Sequence, residues 1–91
     1  MHESRALPVA AECIEVRAMG SEALVHDVLR KKVHVLNASA ARIFALCDGT
    51  RDAEKIAGLM SSQTGEPQER MLRDVARALE TFARLELISY V

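Results

Sequence analysis

Apolar and polar residues alternate along the first part of this chain and follow a helical spacing along the rest. Alternation predicts strands with one buried face, because successive side chains of a strand point to opposite sides. Gly20 supplies a turn between the first two strands, and residues 29–32 form the predicted loop before the third. The three predicted strands cover residues 13–18, 23–28 and 33–36.

The first predicted helix starts directly after the third strand. Asn37 is expected to cap it, because its side-chain oxygen can accept from the free N–H groups of the first turn. Apolar residues then recur every three or four positions as far as Cys47. Gly49 is expected to end this helix in a left-handed conformation.

Two further helices are predicted in the remaining sequence. Thr50 is expected to cap the second, over residues 52–62, and Pro67 to occupy the first position of the third, over residues 67–85. The positions predicted to be buried are Ile56, Leu59 and Met60 in the second helix and Met71, Leu72, Val75, Leu79 and Phe82 in the third.

These elements make up one domain at residues 13–91, and residues 1–12 are predicted to form a flexible N-terminal arm. The apolar segment 87–91 is expected to pair with the domain or pack on it. The order of elements predicts an α+β fold in which a three-stranded antiparallel sheet is followed by three helices. The last two helices suit a winged helix-turn-helix-like body.

Composition narrows the classes of protein that the chain can represent. Hydrophobic residues make up 49% of the 91 residues and aromatic residues only 3%, which predicts an aliphatic core. The net charge of −1 argues against a nucleic-acid binder. Without an apolar run of ~20 residues or a signal sequence, we expect a cytoplasmic protein, in which Cys13 and Cys47 remain free thiols.

The sequence contains no motif of an enzyme, a metal site or a cofactor site. Asp27 would lie opposite His34 if residues 29–32 formed the hairpin loop, and a carboxylate can orient an imidazole base. We interpret this pair as a charged contact on the solvent face, because no nucleophile accompanies it. The chain is therefore predicted not to be an enzyme.

Two features suggest a binding surface instead. The third strand is aliphatic, and at a sheet edge its unpaired backbone groups would accept an extended peptide as a further strand. The third helix carries arginines on one side, which would attract an acidic peptide or a phosphate backbone, although a solvated face explains them as well. These arginines are Arg70, Arg73, Arg77 and Arg84.

Residues 33–37, 39–41 and 46–51 together resemble the signature of the PqqD-like family. Members of this family are small winged helix-turn-helix-like domains that recognise the leaders of ribosomally made, post-translationally modified peptides. The resemblance covers nearly the whole chain, from Cys13 to Ile88. The chain lacks the Gly-Trp ending of the pyrroloquinoline quinone members, so it resembles the broad family more than that pathway.

The resemblance implies a non-catalytic adaptor. A precursor's leader would add as a strand along the third strand and rest against the third helix. A maturation enzyme would then modify the precursor; in the family this is a radical S-adenosylmethionine protein, a cyclase or a leader peptidase. The residues implied to contact the peptide are Lys32, Val33, His34, Val35, Leu36, Arg70, Arg73, Asp74 and Arg77.

Three other possibilities stay open at this point. A winged-helix regulator would use the arginine-bearing helix to bind DNA. A docking subunit would bind a maturation enzyme without contacting the peptide. A homodimer could also form, since an exposed edge strand can pair with its own copy.

Overall fold

The computed structural model describes residues 7–91, which form an α+β fold. A three-stranded antiparallel sheet is followed by three helices, as the sequence predicts, and this arrangement is compatible with a winged helix-turn-helix-like body. The elements in chain order are β1 (Pro8–Ala10), β2 (Ile14–Met19), β3 (Glu22–Asp27), β4 (Lys32–Leu36), α1 (Ala38–Ala45), α2 (Ala53–Thr64), α3 (Gln68–Arg84) and β5 (Ile88–Tyr90).

The sheet has the strand order β2-β3-β4, with β3 in the centre. Residues 20 and 21 connect β2 to β3, and Gly20 has a φ of 65°. A positive φ at only the first of two loop residues is typical of a type II′ turn, whose twist matches that of the two strands. The turn therefore fixes the register in which Met19 lies opposite Glu22.

The second hairpin differs from the sequence prediction by one residue. Its loop is 28–31 rather than 29–32, so that Asp27 lies opposite Lys32 and His34 lies opposite Val25. The predicted Asp27–His34 pair on the solvent face is therefore wrong, and the side chain of Asp27 is buried instead. The sequence did not reveal this register because the left-handed residue of the loop is Lys31, with a φ of 57°. A glycine usually marks such a position, and this loop has none.

The start of α1 is as predicted, but the connection to α2 is not. The Asn37 side chain accepts the N–H of Ala40 at 2.9 Å. Gly49 has a φ of 85° but lies beyond the end of α1, where its N–H donates to the carbonyl of Pro8 at 2.9 Å. Asp52, not Thr50, caps α2, because Asp is at least as good a cap and the Thr50 hydroxyl already donates to Asp48.

Buried side chains from the three helices and from one face of the sheet form a single hydrophobic core. Phe82 of α3 is 1% exposed and meets the ring of Phe44 edge-on, with 5.3 Å between ring centroids. The predicted stripe of α3 is confirmed by its buried residues Met71, Val75, Leu79 and Phe82, whereas Leu72 is only partly buried. In α2 the prediction for Leu59 is wrong: it is 38% exposed, and Ala57 is buried in its place.

The chain ends form a separate two-stranded ribbon. β1 pairs with β5 in antiparallel register, with Val9 opposite Ser89, and Val9 also bridges to Asp48. The predicted flexible arm of residues 1–12 thus contains a strand, which three residues are too few to reveal by periodicity. Residues 1–6 of that arm lie outside the described residues.

None of the helices within residues 7–91 has the length and the hydropathy that crossing a bilayer requires.

Candidate functional site

A groove with a volume of about 640 Å³ separates strand β4 from helix α3. Helix α1 supplies its floor together with the buried side chains of Leu36 and Phe82. The groove is open to solvent and carries both apolar and polar side chains along its length. The residues that line it are Val33, His34, Val35, Leu36, Asn37, Ser39, Ala40, Ile43, Asp74, Arg77, Ala78, Thr81, Phe82 and Leu85.

One wall of the groove is a sheet edge with unpaired backbone groups. In a two-residue hairpin the two residues that close the turn, here Met19 and Glu22, are hydrogen-bonded to each other. Hydrogen-bonded and non-hydrogen-bonded pairs then alternate along the two strands. Val25 lies three positions after Glu22, so its N–H and C=O groups point away from β2 and towards His34 of β4. The N–H and C=O groups of Val33 and Val35 therefore point away from β3, into the groove.

The side chains of β4 alternate between the two faces of the sheet. His34 and Leu36 lie opposite the buried residues Val25 and Ala23, so they share the face that is covered by the helices. Val33 and Val35 are 55% and 63% exposed on the other face. A strand that paired with this edge would consequently have one row of side chains over the groove and one row beside the two valines.

The other wall is the middle and the C-terminal half of α3. Its lining residues follow one another at helical spacing, as Asp74, Arg77, Ala78, Thr81, Phe82 and Leu85. Asp74 and Arg77 are the ionic side chains of this wall. The groove therefore combines an apolar floor with one negative and one positive charge near the N-terminal end of its helical wall.

The structure brings six of the nine sequence-predicted contact residues to this groove. They are Val33, His34, Val35, Leu36, Asp74 and Arg77. The other three, Lys32, Arg70 and Arg73, do not line it. The Arg70 guanidinium lies 3.5 Å from the carboxylate of Glu66, which precedes α3.

Sequence reasoning missed the part of the groove that lies beyond the first half of α3. Ala78, Thr81 and Leu85 lie four, seven and eleven positions after Asp74, which are the spacings of one helical face. Extending that face from Asp74 would have identified them. The contributions of Ser39 and Ile43 depend on how α1 packs, and the spacing within α1 does not reveal this.

A cluster of charged residues surrounds the β3–β4 loop. The buried carboxylate of Asp27 accepts the backbone N–H of Arg30 at 3.0 Å and its guanidinium at 3.2 Å. The Arg30 backbone bond is the main reason why the pKa of Asp27 is lowered, and it outweighs the opposing effect of burial. The Arg30 guanidinium also contacts Glu86, just beyond the end of α3.

Most of the signature segment 46–51 is scaffold rather than groove. The carboxylate of Asp48 accepts the Thr50 hydroxyl at 2.6 Å and the Arg51 guanidinium at 2.9 Å, and the Thr50 bonds are the main reason why its pKa is lowered. Burial raises the pKa of the Cys47 thiol to about 11, with a smaller contribution from Asp48. These contacts order the connection between α1 and α2 without reaching the groove.

The groove presents backbone hydrogen-bonding groups and an apolar floor. Both Cys13 and Cys47 are free thiols, and neither lines the groove. Within residues 7–91 there is no cluster of three or more His, Cys, Asp or Glu side chains that could bind a metal ion. What the groove offers is a row of backbone hydrogen-bonding groups beside an apolar floor, which suits an extended peptide.

Comparisons with known proteins agree with this geometry. A family model described as Coenzyme PQQ synthesis protein D (PqqD) matches residues 19–88. No curated protein matches the sequence. A solved structure described as TbiB1 in complex with the TbiA(beta) leader peptide is similar, with a TM-score of 0.79 and 18% identity over 88% of this chain and 93% of that chain. At that identity the similarity establishes the shared fold.

Proposed function

Because this chain belongs to the PqqD family, we propose that it is an adaptor that binds the leader of a ribosomally synthesised precursor peptide. The leader adds as a strand to β4, and the loaded domain presents the precursor to a maturation enzyme. The observation that carries this proposal is the unpaired edge of β4, which faces α3 across a groove with an apolar floor. The similar TbiB1 domain, whose structure contains a leader peptide, supports the same role.

In this proposal the backbone groups of Val33 and Val35 give affinity, and the side chains of the groove give selectivity. Backbone bonds fix an added strand whatever its sequence, whereas alternate side chains occupy pockets. The leader side chains that point towards α3 contact the apolar floor formed by Leu36, Ile43 and Phe82. The leader segment is therefore β-prone, with apolar residues at alternate positions.

The proposed role of the domain is binding and not catalysis. Its groove supplies positions for a peptide backbone, and the reacting groups belong to the partner enzyme. The strands of the β1–β5 ribbon contribute no residue to the groove, so the ribbon lies outside the proposed leader site. We expect the adaptor to work in the cytoplasm, where precursor peptides are made.

The test is an amide NMR titration of the isotope-labelled domain with the leader of the precursor encoded nearest to its gene. A scrambled peptide of the same composition serves as the control. Binding by strand addition moves the resonances of residues 32–36 and of the α3 residues from Asp74 to Leu85, and the scrambled peptide moves neither. A well-dispersed spectrum that stays unchanged with the leader would count against the adaptor and favour a docking subunit.

A further inference from the structure

We propose that Arg30 and Glu86 form a clasp that holds the two walls of the groove at a fixed separation, and that Glu86 is a positioning residue for leader binding. This inference rests on the proposed function, because the clasp acts on the same groove. The two residues are far apart in sequence, and neither lines the groove itself.

The clasp joins elements that belong to opposite walls. Arg30 lies in the loop that leads into β4, two residues before that strand begins. Glu86 follows Leu85, the C-cap of α3 and the last lining residue of the helical wall. Among residues 7–91, the ion pair between Arg30 and Glu86 is the one that connects the β3–β4 loop with the end of α3.

Both partners make further contacts that hold them in place. Asp27, which is 1% exposed, holds the Arg30 backbone N–H and its guanidinium, so the arginine side chain cannot swing freely. Glu86 has a left-handed φ of 62°, and its N–H donates to the carbonyl of Ala83 at 3.0 Å. A side chain that is fixed at its base loses less conformational entropy when it forms a contact.

The groove has a different support at its other end. There α1 packs against both β3 and α3, and the floor residues Ala40 and Ile43 of α1 connect the walls. Near Val33 and Leu85 the clasp joins the walls, in addition to the packing of Leu85 against the core. Without the clasp this end of the groove is free to open. Leader binding would then have to order it, which costs part of the binding free energy.

An exposed ion pair contributes little to global stability, so the clasp is expected to affect binding more than folding. The sharpest variant is Glu86→Gln, which removes the charge and keeps the shape and the Arg30–Asp27 contact. Its matched control is Glu66→Gln, which removes the glutamate from an Arg–Glu pair outside the groove.

The experiment measures the leader affinity of both variants and the amide spectra of both without peptide. We expect Glu86→Gln to weaken leader binding by about threefold to tenfold and Glu66→Gln to change it by less than about twofold. In the peptide-free spectrum, Glu86→Gln should shift amides across the groove as far as Val35 and Leu36.

Equal affinities of Glu86→Gln and the wild type would overturn the clasp. Shifts confined to the turn around residues 84–88 would do so too, because they would show that Glu86 stabilises only its own turn. If the wild type binds no leader, the adaptor proposal fails, and the peptide-free spectra still decide whether the clasp positions β4.

Discussion

Val16 and Val33 lie on the two free edges of the three-stranded sheet and on opposite faces of it, because Val16 pairs with Val25 and Val33 pairs with His26. Each lies on a strand that pairs with β3, at a position where the backbone N–H points away from the ladder. The two side chains are almost equally exposed, at 54% and 55%. They differ in their surroundings, because only Val33 lies beside the groove that is formed with α3.

Replacing Val33 by proline is expected to weaken leader binding strongly without unfolding the domain. Proline removes the free N–H of this position and places a ring where the added strand would lie. The loss of one backbone bond at the edge predicts affinity lower by roughly tenfold to a hundredfold, or about 1–3 kcal/mol. Isothermal calorimetry with the leader peptide measures this directly.

Val16→Pro is the control for this prediction, since it makes the same change on the opposite edge. It should leave leader affinity within about twofold of the wild type, and circular dichroism should show that both variants keep their helices. Equal losses of affinity in the two variants would mean that proline acts by weakening the sheet and not by blocking the β4 edge.

Filling the groove from its helical wall should also prevent binding. Ala78 of α3 lines the groove, whereas Ala76 of the same helix is exposed and lines a separate cleft beside Tyr90. We expect Ala78→Phe to weaken leader binding by at least about tenfold, or ~1.4 kcal/mol, because the ring occupies the space of a leader side chain. Ala76→Phe should bind normally, and unchanged binding by a folded Ala78→Phe domain would place the leader elsewhere.

Lys31 is expected to be a site where glycine stabilises the fold. A non-glycine residue in the left-handed conformation costs about 1 kcal/mol, and part of the gain from glycine is lost to the greater freedom of the unfolded chain. Lys31→Gly should therefore raise the free energy of unfolding by roughly 0.5 kcal/mol, as measured by urea denaturation.

Leu29→Gly in the same loop provides the comparison, because Leu29 does not have a positive φ. There glycine only increases the freedom of the unfolded chain, so this variant should be less stable than the wild type. A Lys31→Gly variant that was also less stable would show that the left-handed backbone is not strained at this position.

Asp27 should make stability fall at acidic pH. Its pKa in the folded state is lowered from the ordinary value of 3.8, mainly by the backbone N–H of Arg30. The stabilisation is fully present well above pH 3.8, where the unfolded state is also ionised, and it is lost as the pH falls towards the lower pKa of the folded state.

We expect Asp27→Asn to be less stable than the wild type at pH 7 and to lose less stability between pH 7 and pH 3. Urea denaturation midpoints of both proteins across this range measure the effect. Parallel pH profiles for the two proteins would show that the Asp27 carboxylate does not contribute to the acid sensitivity of the fold.

Local sequence was sufficient to predict the order of the three sheet strands and the three helices, and much of the core. The alternating pattern identified the three strands of the sheet, and the 3.6-residue spacing identified the buried side of α3. Asn37 could be predicted as a cap because capping is local: its side chain bonds to Ala40, only three residues further along the chain. Such features depend on groups that are neighbours along the chain, so a single sequence contains the information.

The family resemblance also predicted part of the candidate site. The position of β4 and the use of α3 as the opposite wall were predicted, and six of nine predicted contact residues line the groove. That these six bind a leader stays a prediction. The helical wall extends further towards Leu85 than was predicted, because the packing of α3 against α1 decides which part of its surface remains uncovered.

What only the tertiary structure decided are the contacts between distant parts of the chain. The β1–β5 ribbon joins the two ends of the domain, and Arg30 meets Glu86 across 56 positions of sequence. The register of the β3–β4 hairpin depends on one left-handed residue, Lys31, that has no local signal. Composition and periodicity record which residues prefer to be buried or extended. The contacts between distant residues arise instead from the simultaneous packing of all elements. For this reason the sequence alone determined the three sheet strands and the three helices, and the folded chain determined the groove.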